Sequence, residues 1–367
     1  MSGFDVVVVG GGVIGLSVAW TAAARGLSVA VVDDRAHSGA THAAAGMLAP
    51  VGEVSFGEEA LLALNLAAAK RYPEFVTELE DCSGTEVGYR PTGTLVVARD
   101  PDDQAQLDEL QAYQQSLGLS ARRLRGRECR KVQPGLAPTV RGGLLVEGDH
   151  SVDNRALARA LAVACARARV CVKLDRATEV SAGVVRTSAG EVVRGDAVVL
   201  AAGAESGAIA GMPPEIAASV RPVKGQLLHL SGPVEPPLLT MTVRGVDVYL
   251  VPRTDGRLIV GATVEEAGFD TRVTAGAVFE LLRAAYELVP GVTELALTEV
   301  VAGLRPGSVD NAPLIGETSM PGLFAATGHY RNGILLAPVT ADALVERLVT
   351  GLTPSLIEPF SPLRFAA

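Results

Sequence analysis

The sequence is poor in cysteine, in aromatic residues and in charge. It has 4 cysteines in 367 residues, and only 4% of its residues are aromatic and 20% charged. So few cysteines, with no CxxC pair, exclude a disulfide framework and a zinc site and fit a cytoplasmic protein. The net charge of -9 opposes binding to phosphate backbones, so we expect no nucleic-acid partner. The basic cluster at 122–131 is then interpreted as a solvated helix face.

Charged residues are absent from Val6 to Ala24, a run of about 19 residues that approaches the length of a membrane helix. The three glycines at 10–12 interrupt this run, and the valines before them favour a β-strand. Asp5 precedes the run, where a signal peptide would carry Lys or Arg. We therefore expect neither a signal peptide nor a membrane span.

Glycine, by contrast, is abundant, with 40 residues, and the length predicts about two domains. The segment 4–9 predicts a buried strand, 13–25 a helix, and 27–32 a second strand, which together form a βαβ unit. Two later segments, 197–203 and 322–328, again place an apolar strand before a glycine. We therefore expect the domain that starts the chain to return in separate pieces.

A dinucleotide fingerprint lies inside this βαβ unit. Gly10, Gly12 and Gly15 form GxGxxG between strand and helix, and Asp33 ends the second strand. The first glycine permits a tight turn, the second lets backbone N–H groups approach a pyrophosphate, and the third allows close helix packing. Asp33 is suited to accept from a ribose hydroxyl. The alternative is a degenerate Rossmann core that binds no nucleotide.

Two further segments favour FAD over a nicotinamide cofactor. The segment 38–47 consists almost wholly of small residues, which suits a loop lying directly against a large cofactor. In the segment 327–338 a strand ends in glycine and an apolar helix begins near Gly333. The partial positive charge of that helix N-terminus would stabilise negative charge on a reduced flavin. The alternative for 38–47 is a flexible surface loop.

The middle of the chain predicts an antiparallel sheet. An Asp-Gly turn at 254–257 separates two alternating segments, 248–253 and 258–263, and is a strong hairpin signal. The predicted fold class is α/β, with a discontinuous Rossmann-like FAD-binding domain and a second, mainly antiparallel α+β substrate domain. The bounds that we expect are 1–84, 148–219 and 303–367 for the first domain and 85–147 and 220–302 for the second.

Six motifs in this sequence resemble the D-amino-acid oxidase superfamily, and within it the glycine oxidases of thiamine biosynthesis, over about residues 4–350. They are GGGVIG at 10–15, AAAGMLAP at 43–50, RPVKGQ at 221–226, YLVPR at 249–253, AGLRPGSVDNAPLIG at 302–316 and GHYRNGILLAP at 328–338. The resemblance implies noncovalently held FAD, a two-domain fold with a discontinuous FAD domain, and oxidation of a small amine-bearing acid by O2.

The resemblance also assigns contacts residue by residue. It implies that Tyr249 and Arg305 bind the substrate carboxylate and that Arg331 is a further substrate contact. The cofactor-binding residues that we expect include the three fingerprint glycines and Gly203, which follows a later strand. The other expected FAD contacts are Val13, Ile14, Asp33, Asp34, Thr41, Ala45, Gly46, Met47, Ala177, His329, Tyr330, Arg331, Asn332, Gly333, Ile334 and Leu335.

The residues themselves support the two carboxylate ligands. Arg305 precedes Pro306-Gly307 on a rigid segment, and a guanidinium held there matches a carboxylate with two hydrogen bonds. Tyr249 lies on a strand in which every second residue points to one face. The alternatives are a surface arginine and a core tyrosine. No residue is assigned as an acid-base catalyst, and His329 is interpreted as a packing contact.

Two positions depart from the family pattern. Glu205-Ser206 replaces a common tryptophan-serine pair after Gly203, which could change packing over the cofactor. Asp247, two residues before Tyr249, replaces a histidine of a relative, so we expect a more acidic entrance.

The function that we expect is FAD-dependent oxidation of glycine by hydride transfer, giving glyoxylate, ammonia and hydrogen peroxide, with an imine intermediate that would serve thiazole assembly. The partners would be a small amino acid and O2, and a homo-oligomer is left open. The alternatives are a sarcosine or D-amino-acid oxidase, a dehydrogenase of the same superfamily, or a nicotinamide-binding reductase or sensor without flavin.

Overall fold

The computed structural model describes residues 3–35 and 38–366. In chain order the strands are β1 (Phe4–Val9), β2 (Val29–Val32), β3 (Met47–Leu48), β4 (Thr94–Ala98), β5 (Arg122–Arg125), β6 (Gly142–Val146), β7 (His150–Ser151), β8 (Cys171–Lys173), β9 (Ala177–Ser181), β10 (Val184–Thr187), β11 (Val192–Leu200), β12 (Arg221–Ser231), β13 (Thr242–Arg244), β14 (Tyr249–Pro252), β15 (Arg257–Gly261), β16 (Ala296–Gly307), β17 (Leu314–Glu317) and β18 (Leu323–Thr327). The α-helices are α1 (Val13–Ala24), α2 (Gly39–His42), α3 (Glu59–Ser83), α4 (Pro101–Ser116), α5 (Gly126–Val132), α6 (Asn154–Arg167), α7 (Pro214–Ala217), α8 (Ala275–Leu288) and α9 (Gly333–Thr350).

The first sheet has the order β17-β18-β11-β1-β2-β8, and β9 and β10 extend it from β11. Strands β18, β11, β1, β2 and β8 are parallel to one another, whereas β17 is antiparallel to β18. The valines of β1 are at most 2% exposed because both faces of the sheet are covered. Val6 and Val8 pack on the core that contains α1, α3, α6 and α9, while Val7 and Val9 pack on the opposite face.

The second sheet has the order β16-β12-β15-β14-β13-β4-β6-β5. Its pairs are antiparallel except β13 and β4, which run parallel. Leu281, Ala285 and Leu288 of α8 pack against one face of this sheet. A two-stranded ladder of β3 and β7 completes the strands in the described residues.

The chain passes twice from the first sheet to the second and back. Strands β4–β6 and β12–β16 belong to the second sheet, and the strands of the first sheet lie before, between and after them. The predicted α/β fold with a discontinuous first unit is therefore confirmed. The exact domain bounds stay a prediction, and the bound at 303 falls inside β16, which runs on to Gly307 in the second sheet.

The observed elements of the βαβ unit and of the hairpin begin and end within two residues of the predicted bounds. The βαβ unit and the β14–β15 hairpin are confirmed. The basic cluster at 122–131 is only half helical, because 122–125 form β5 at the sheet edge before α5 begins. Helix α4 was not predicted, although Asp100 caps it and Pro101 follows at its first position. Within the described residues, no helix has the length and apolar character needed to cross a bilayer.

Candidate active site

A cavity of about 710 Å³ lies where the carboxyl ends of the first sheet meet a face of the second. The turns after β1, β2, β11 and β18 line one side, and β12, β14 and β16 line the other. Ligands of open parallel sheets bind at this edge. The cavity is lined by every residue that we predicted as a cofactor or substrate contact except Gly15, Asn332 and Leu335.

The fingerprint turn forms one end of the cavity. Gly10 has a φ of 107°, and a Cβ there would lie 2.7 Å from the carbonyl carbon of Ala201 on the neighbouring strand. Gly15 touches the backbone of Gly10, so its predicted role in close helix packing is confirmed and it does not face the cavity. Helix α1 begins after Gly12 with no side-chain cap and no acid in its first turn. Its N-terminus is therefore suited to an anionic group.

Asp33 lies at the end of β2, beside this turn. Its carboxylate accepts from the backbone N–H of Gly11 and, at 2.6 Å, from that of Arg35. Carboxylate oxygens have further lone pairs that can accept from ribose hydroxyls. The strand, the turn, the helix and the acid thus stand in the arrangement that the fingerprint predicts.

The small-residue segment is packed from 41 to 47 and forms no free surface loop there, whereas Ser38 and Gly39 are exposed. Ala43 and Ala45 are each 6% exposed, and a Cβ on Gly303 would collide with Ala43. Gly46 has a φ of 69°, and its α-carbon faces the carbonyl of Val152 so closely that no side chain fits. Thr41 accepts from the N–H of Val13 at 3.0 Å, which joins this segment to the start of α1. Small residues are required here because the backbone is in contact on both sides.

The segment after β18 closes the cavity from a third side. His329 is 2% exposed, and its Nε2 lies 3.0 Å from Oγ1 of Thr340. Burial lowers the pKa of His329 to about 3, so the imidazole is neutral near pH 7, as a packing residue would be. Helix α9 begins at Gly333 without a side-chain cap, and Gly333 and Ile334 line the cavity. Leu335 instead points into the core, and Asn332 lines a second cavity.

Arg305 and Tyr249 line the cavity from strands of the second sheet, and each side chain lies over a glycine. The Arg305 guanidinium covers Gly225, where a Cβ would lie 2.5 Å from its Cζ, and the Tyr249 ring covers Gly261 in the same way. Nη1 of Arg305 donates to the carbonyl oxygen of Thr263 at 3.1 Å. Among the described residues it has no partner for Nη2 or Nε, so one edge of the guanidinium faces the cavity.

Tyr249 carries a hydroxyl rather than a phenolate. Burial raises its pKa to about 12, and the Arg305 guanidinium only partly opposes that shift. The hydroxyl is therefore a hydrogen-bond donor near pH 7. Arg331 is exposed and lines the same cavity, with its guanidinium 5.0 Å from the Tyr330 ring centroid.

A family model described as FAD dependent oxidoreductase matches residues 5–347. The chain belongs to this family of FAD-dependent oxidoreductases. It is 36% identical to a glycine oxidase of Geobacillus kaustophilus, over 98% of this chain and 97% of that protein. A crystal structure of glycine oxidase from that organism superposes with a TM-score of 0.91 at 34% identity and covers 99% of both chains.

The oxidoreductase is also 35% identical to the bifunctional protein ThiO/ThiG of Trichormus variabilis, over 98% of this chain and 55% of that protein. It therefore spans about half the length of the bifunctional relatives. The family match decides between the two cofactor predictions in favour of FAD. The residues present fit FAD, because the uncapped starts of α1 and α9, the Asp33 carboxylate and the packed backbone at 41–47 all face one cavity.

Four charged residues that line the cavity were not predicted from the sequence: Arg35, Glu53, Arg176 and Arg244. Arg244 stands opposite Tyr249 in the β13–β14 register, so the two side chains lie on one face of the sheet. Nη1 of Arg244 donates to the carbonyl oxygen of Gly52, and its Nε lies 3.9 Å from Oε1 of Glu53. Arg244 and Glu53 line both this cavity and an adjoining one of about 370 Å³.

The two departures from the family pattern have structural consequences. The Glu205 carboxylate pairs with Arg35 and, at 3.1 Å, with Arg176, and all three line the cavity near Asp33. Asp247 lies on the rim with its side chain 74% exposed, and Nη2 of Arg99 is 3.8 Å from its Oδ2. The expected acidic entrance thus has an arginine beside it.

A buried carboxylate supports the segment that carries Glu53. Asp149 is fully buried, and it accepts from the N–H groups of Val51 at 3.1 Å and Gly52 at 2.8 Å. Burial raises its pKa to about 7 despite these hydrogen bonds.

Asp149 should make stability depend on pH. Its pKa is about 7 in the folded protein and near 3.8 in the unfolded chain, so stability should fall as pH rises between these values and stay constant above them. A shift of this size corresponds to about 4 kcal/mol. Asp149→Asn should remove this contribution, so the variant should gain stability relative to wild type between about pH 5 and pH 8 in urea denaturation. If the stability difference between Asp149→Asn and wild type were the same at pH 5 and pH 8, the raised pKa of Asp149 would be contradicted.

Proposed function

We propose that this oxidoreductase oxidises glycine, with water and O2, to glyoxylate, ammonia and hydrogen peroxide. The observation that carries the proposal is the Arg305 guanidinium, which presents two unused nitrogens to the FAD cavity beside the Tyr249 hydroxyl. A planar guanidinium in this position is complementary to the carboxylate of a small amino acid. The likeness to glycine oxidases over almost the whole chain supports glycine as the substrate.

The chain's own residues bind and orient the substrate. Arg305 holds the carboxylate with two parallel hydrogen bonds, Tyr249 donates a third, and Arg331 contacts the substrate from the rim. When bound, FAD would supply the acceptor for the hydride that leaves the α-carbon. The backbone N–H groups at the start of α9 stabilise negative charge that develops in this part of the cavity.

The protein supplies orientation rather than a proton acceptor. With a pKa of about 3, His329 is a poor base near pH 7, and its Nε2 is already hydrogen-bonded to Thr340. The substrate amine loses its proton to solvent before oxidation. Fixing the α-carbon at one distance from the cofactor accounts for rate enhancement by proximity.

The cofactor contacts that we propose are those predicted from the sequence, except for three residues that do not line the cavity. The residues that we propose to contact FAD directly are Gly10, Gly12, Val13, Ile14, Asp33, Asp34, Thr41, Ala45, Gly46, Met47, Ala177, Gly203, His329, Tyr330, Arg331, Gly333 and Ile334. Gly15 and Leu335 instead pack behind the cavity wall, and Asn332 lines the adjoining cavity. The cofactor is held noncovalently. Supply of the imine product to thiazole assembly is part of the same proposal and is supported by the likeness to ThiO/ThiG.

Anaerobic mixing of the purified holoenzyme with glycine tests this function. The flavin absorption should bleach, and admission of air should restore it and produce one peroxide per turnover. Sarcosine and D-alanine, tested in parallel, rank the related substrates. Bleaching without reoxidation by O2, but with reduction of an added dye, would indicate a dehydrogenase instead. No bleaching by glycine would refute the proposal.

A further inference from the structure

The cavity segment 41–45 is held from behind by two buried polar side chains. Nδ2 of Asn154 donates to the carbonyl oxygens of Thr41 at 2.7 Å and His42 at 3.2 Å. Nη2 of Arg253 donates to the carbonyl oxygen of Ala45 at 2.8 Å. The backbone of a segment that lies against the cofactor is therefore fixed by hydrogen bonds on its far side.

Asn154 and Arg253 form one unit that joins the two sheets. Nη2 of Arg253 also donates to Oδ1 of Asn154 at 3.1 Å, and the two residues are 5% and 2% exposed. Asn154 begins α6, which packs on the first sheet, whereas Arg253 directly follows β14 of the second. The hydrogen bonds consequently cross from one half of the molecule to the other.

Arg253 lies four residues after Tyr249 along the extended chain, so the two side chains point to the same face of the second sheet. Val251, between them on this face, packs against Ala43 and Ala45. A shift of Arg253 would therefore move the strand that carries Tyr249 relative to the segment that contacts the cofactor.

The Arg253 guanidinium is incompletely satisfied for so buried a cation. Among the described residues, nothing accepts from its Nε or Nη1. Burial lowers its pKa to about 10, although the nearby Asp153 carboxylate opposes this shift. Burying such a group costs stability, and an apolar side chain of similar size would pack there without that cost.

We infer that Arg253, acting with Asn154, is a positioning residue that fixes the substrate-binding strand against the cofactor segment. This inference rests on the proposed function only for its kinetic consequence. Neither side chain lines the cavity, so neither touches substrate or cofactor. Their effect is exerted through the carbonyl oxygens at 41, 42 and 45, which fix the backbone, and through the shared strand.

The test compares Arg253→Met, Arg253→Lys and Asn154→Ala holoenzymes. Arg253→Met should weaken FAD binding at least tenfold, since two hydrogen bonds of a charged donor are lost. It should also slow flavin bleaching by saturating glycine about 10- to 100-fold with KM changed less than threefold, because Arg305 and Tyr249 remain. Arg253→Lys keeps a donor for the carbonyl oxygen of Ala45, so it should lose less FAD affinity and less bleaching rate than Arg253→Met. The double variant Arg253→Met/Asn154→Ala should lose less FAD affinity than the sum of the two single losses, because Arg253 and Asn154 are hydrogen-bonded to each other.

Arg71→Met is the control, because it removes a guanidinium that is mostly buried, pairs with Asp342 at 3.0 Å and lines neither cavity. The inference would be overturned if Arg253→Met kept both its FAD affinity and its bleaching rate within twofold of wild type. It would also be overturned if Arg71→Met lost as much of both as Arg253→Met does. If Arg253→Met does not fold, unchanged FAD affinity in both Arg253→Lys and Asn154→Ala overturns it. Failure of the wild type to react with glycine would refute the proposed function alone, since FAD affinity still tests Arg253.

Discussion

Replacing Arg305 with alanine should raise the KM for glycine about 100- to 1000-fold while FAD stays bound. The Arg305 guanidinium lies over Gly225 of the second sheet, whereas the fingerprint turn follows β1 of the first sheet. Loss of two charge-assisted hydrogen bonds accounts for this range. Steady-state kinetics, with flavin content measured by absorbance, gives both quantities.

Two further variants separate charge from geometry at this position. Arg305→Lys keeps the charge but loses the planar fork, so it should recover only part of the affinity. Gly225→Ala keeps the arginine but puts a methyl group where its guanidinium lies, so the guanidinium must move. This variant should therefore also raise the KM for glycine. Release of FAD by Arg305→Ala would show that this side chain serves the cofactor instead.

Local sequence signals identified several residues that line the cavity. The fingerprint glycines and Asp33 depend on backbone geometry within one βαβ unit, and the structure places them as expected. The packed segment at 41–47 could be predicted from residue size alone, because no larger side chain fits between Val152 and Gly303. The resemblance to the family then added Arg305, Tyr249 and Arg331, which no local pattern brings together.

The remaining site residues depend on contacts between distant segments. Arg244 meets Gly52 across 192 positions of sequence, and Arg253 meets Ala45 across 208. Arg244 lies in no quoted motif, and Arg253 ends the YLVPR motif, which does not show what its side chain contacts. Each arginine lies at or just beyond the end of a short strand. Their burial and partners follow from the docking of the second sheet on the first, which no periodicity in the sequence encodes.

Substitution of the fingerprint glycines should have the largest effect on the cofactor. Gly10→Val should yield protein without bound FAD, because the new side chain meets the β11 backbone at Ala201 and the φ of 107° is strained for any L-residue. Gly12→Ala has an ordinary backbone conformation and places its methyl group 3.3 Å from Oγ1 of Thr41, at the cavity wall. It should fold normally and bind FAD at least tenfold more weakly, since the methyl group blocks the close approach that a pyrophosphate needs.

Gly276→Ala is the control for these two variants, because its Cβ meets nothing within 4 Å at the start of α8. Circular dichroism and a flavin titration of the apoprotein measure folding and affinity separately. The Gly12 and Gly276 substitutions add the same methyl group, but only Gly12 lies at the cavity wall. Only Gly12→Ala should therefore change the dissociation constant of FAD. If Gly12→Ala binds FAD as tightly as wild type, the pyrophosphate does not lie at this turn. The uncapped N-terminus of α9, which also lines the cavity, would then be a candidate site for the anion.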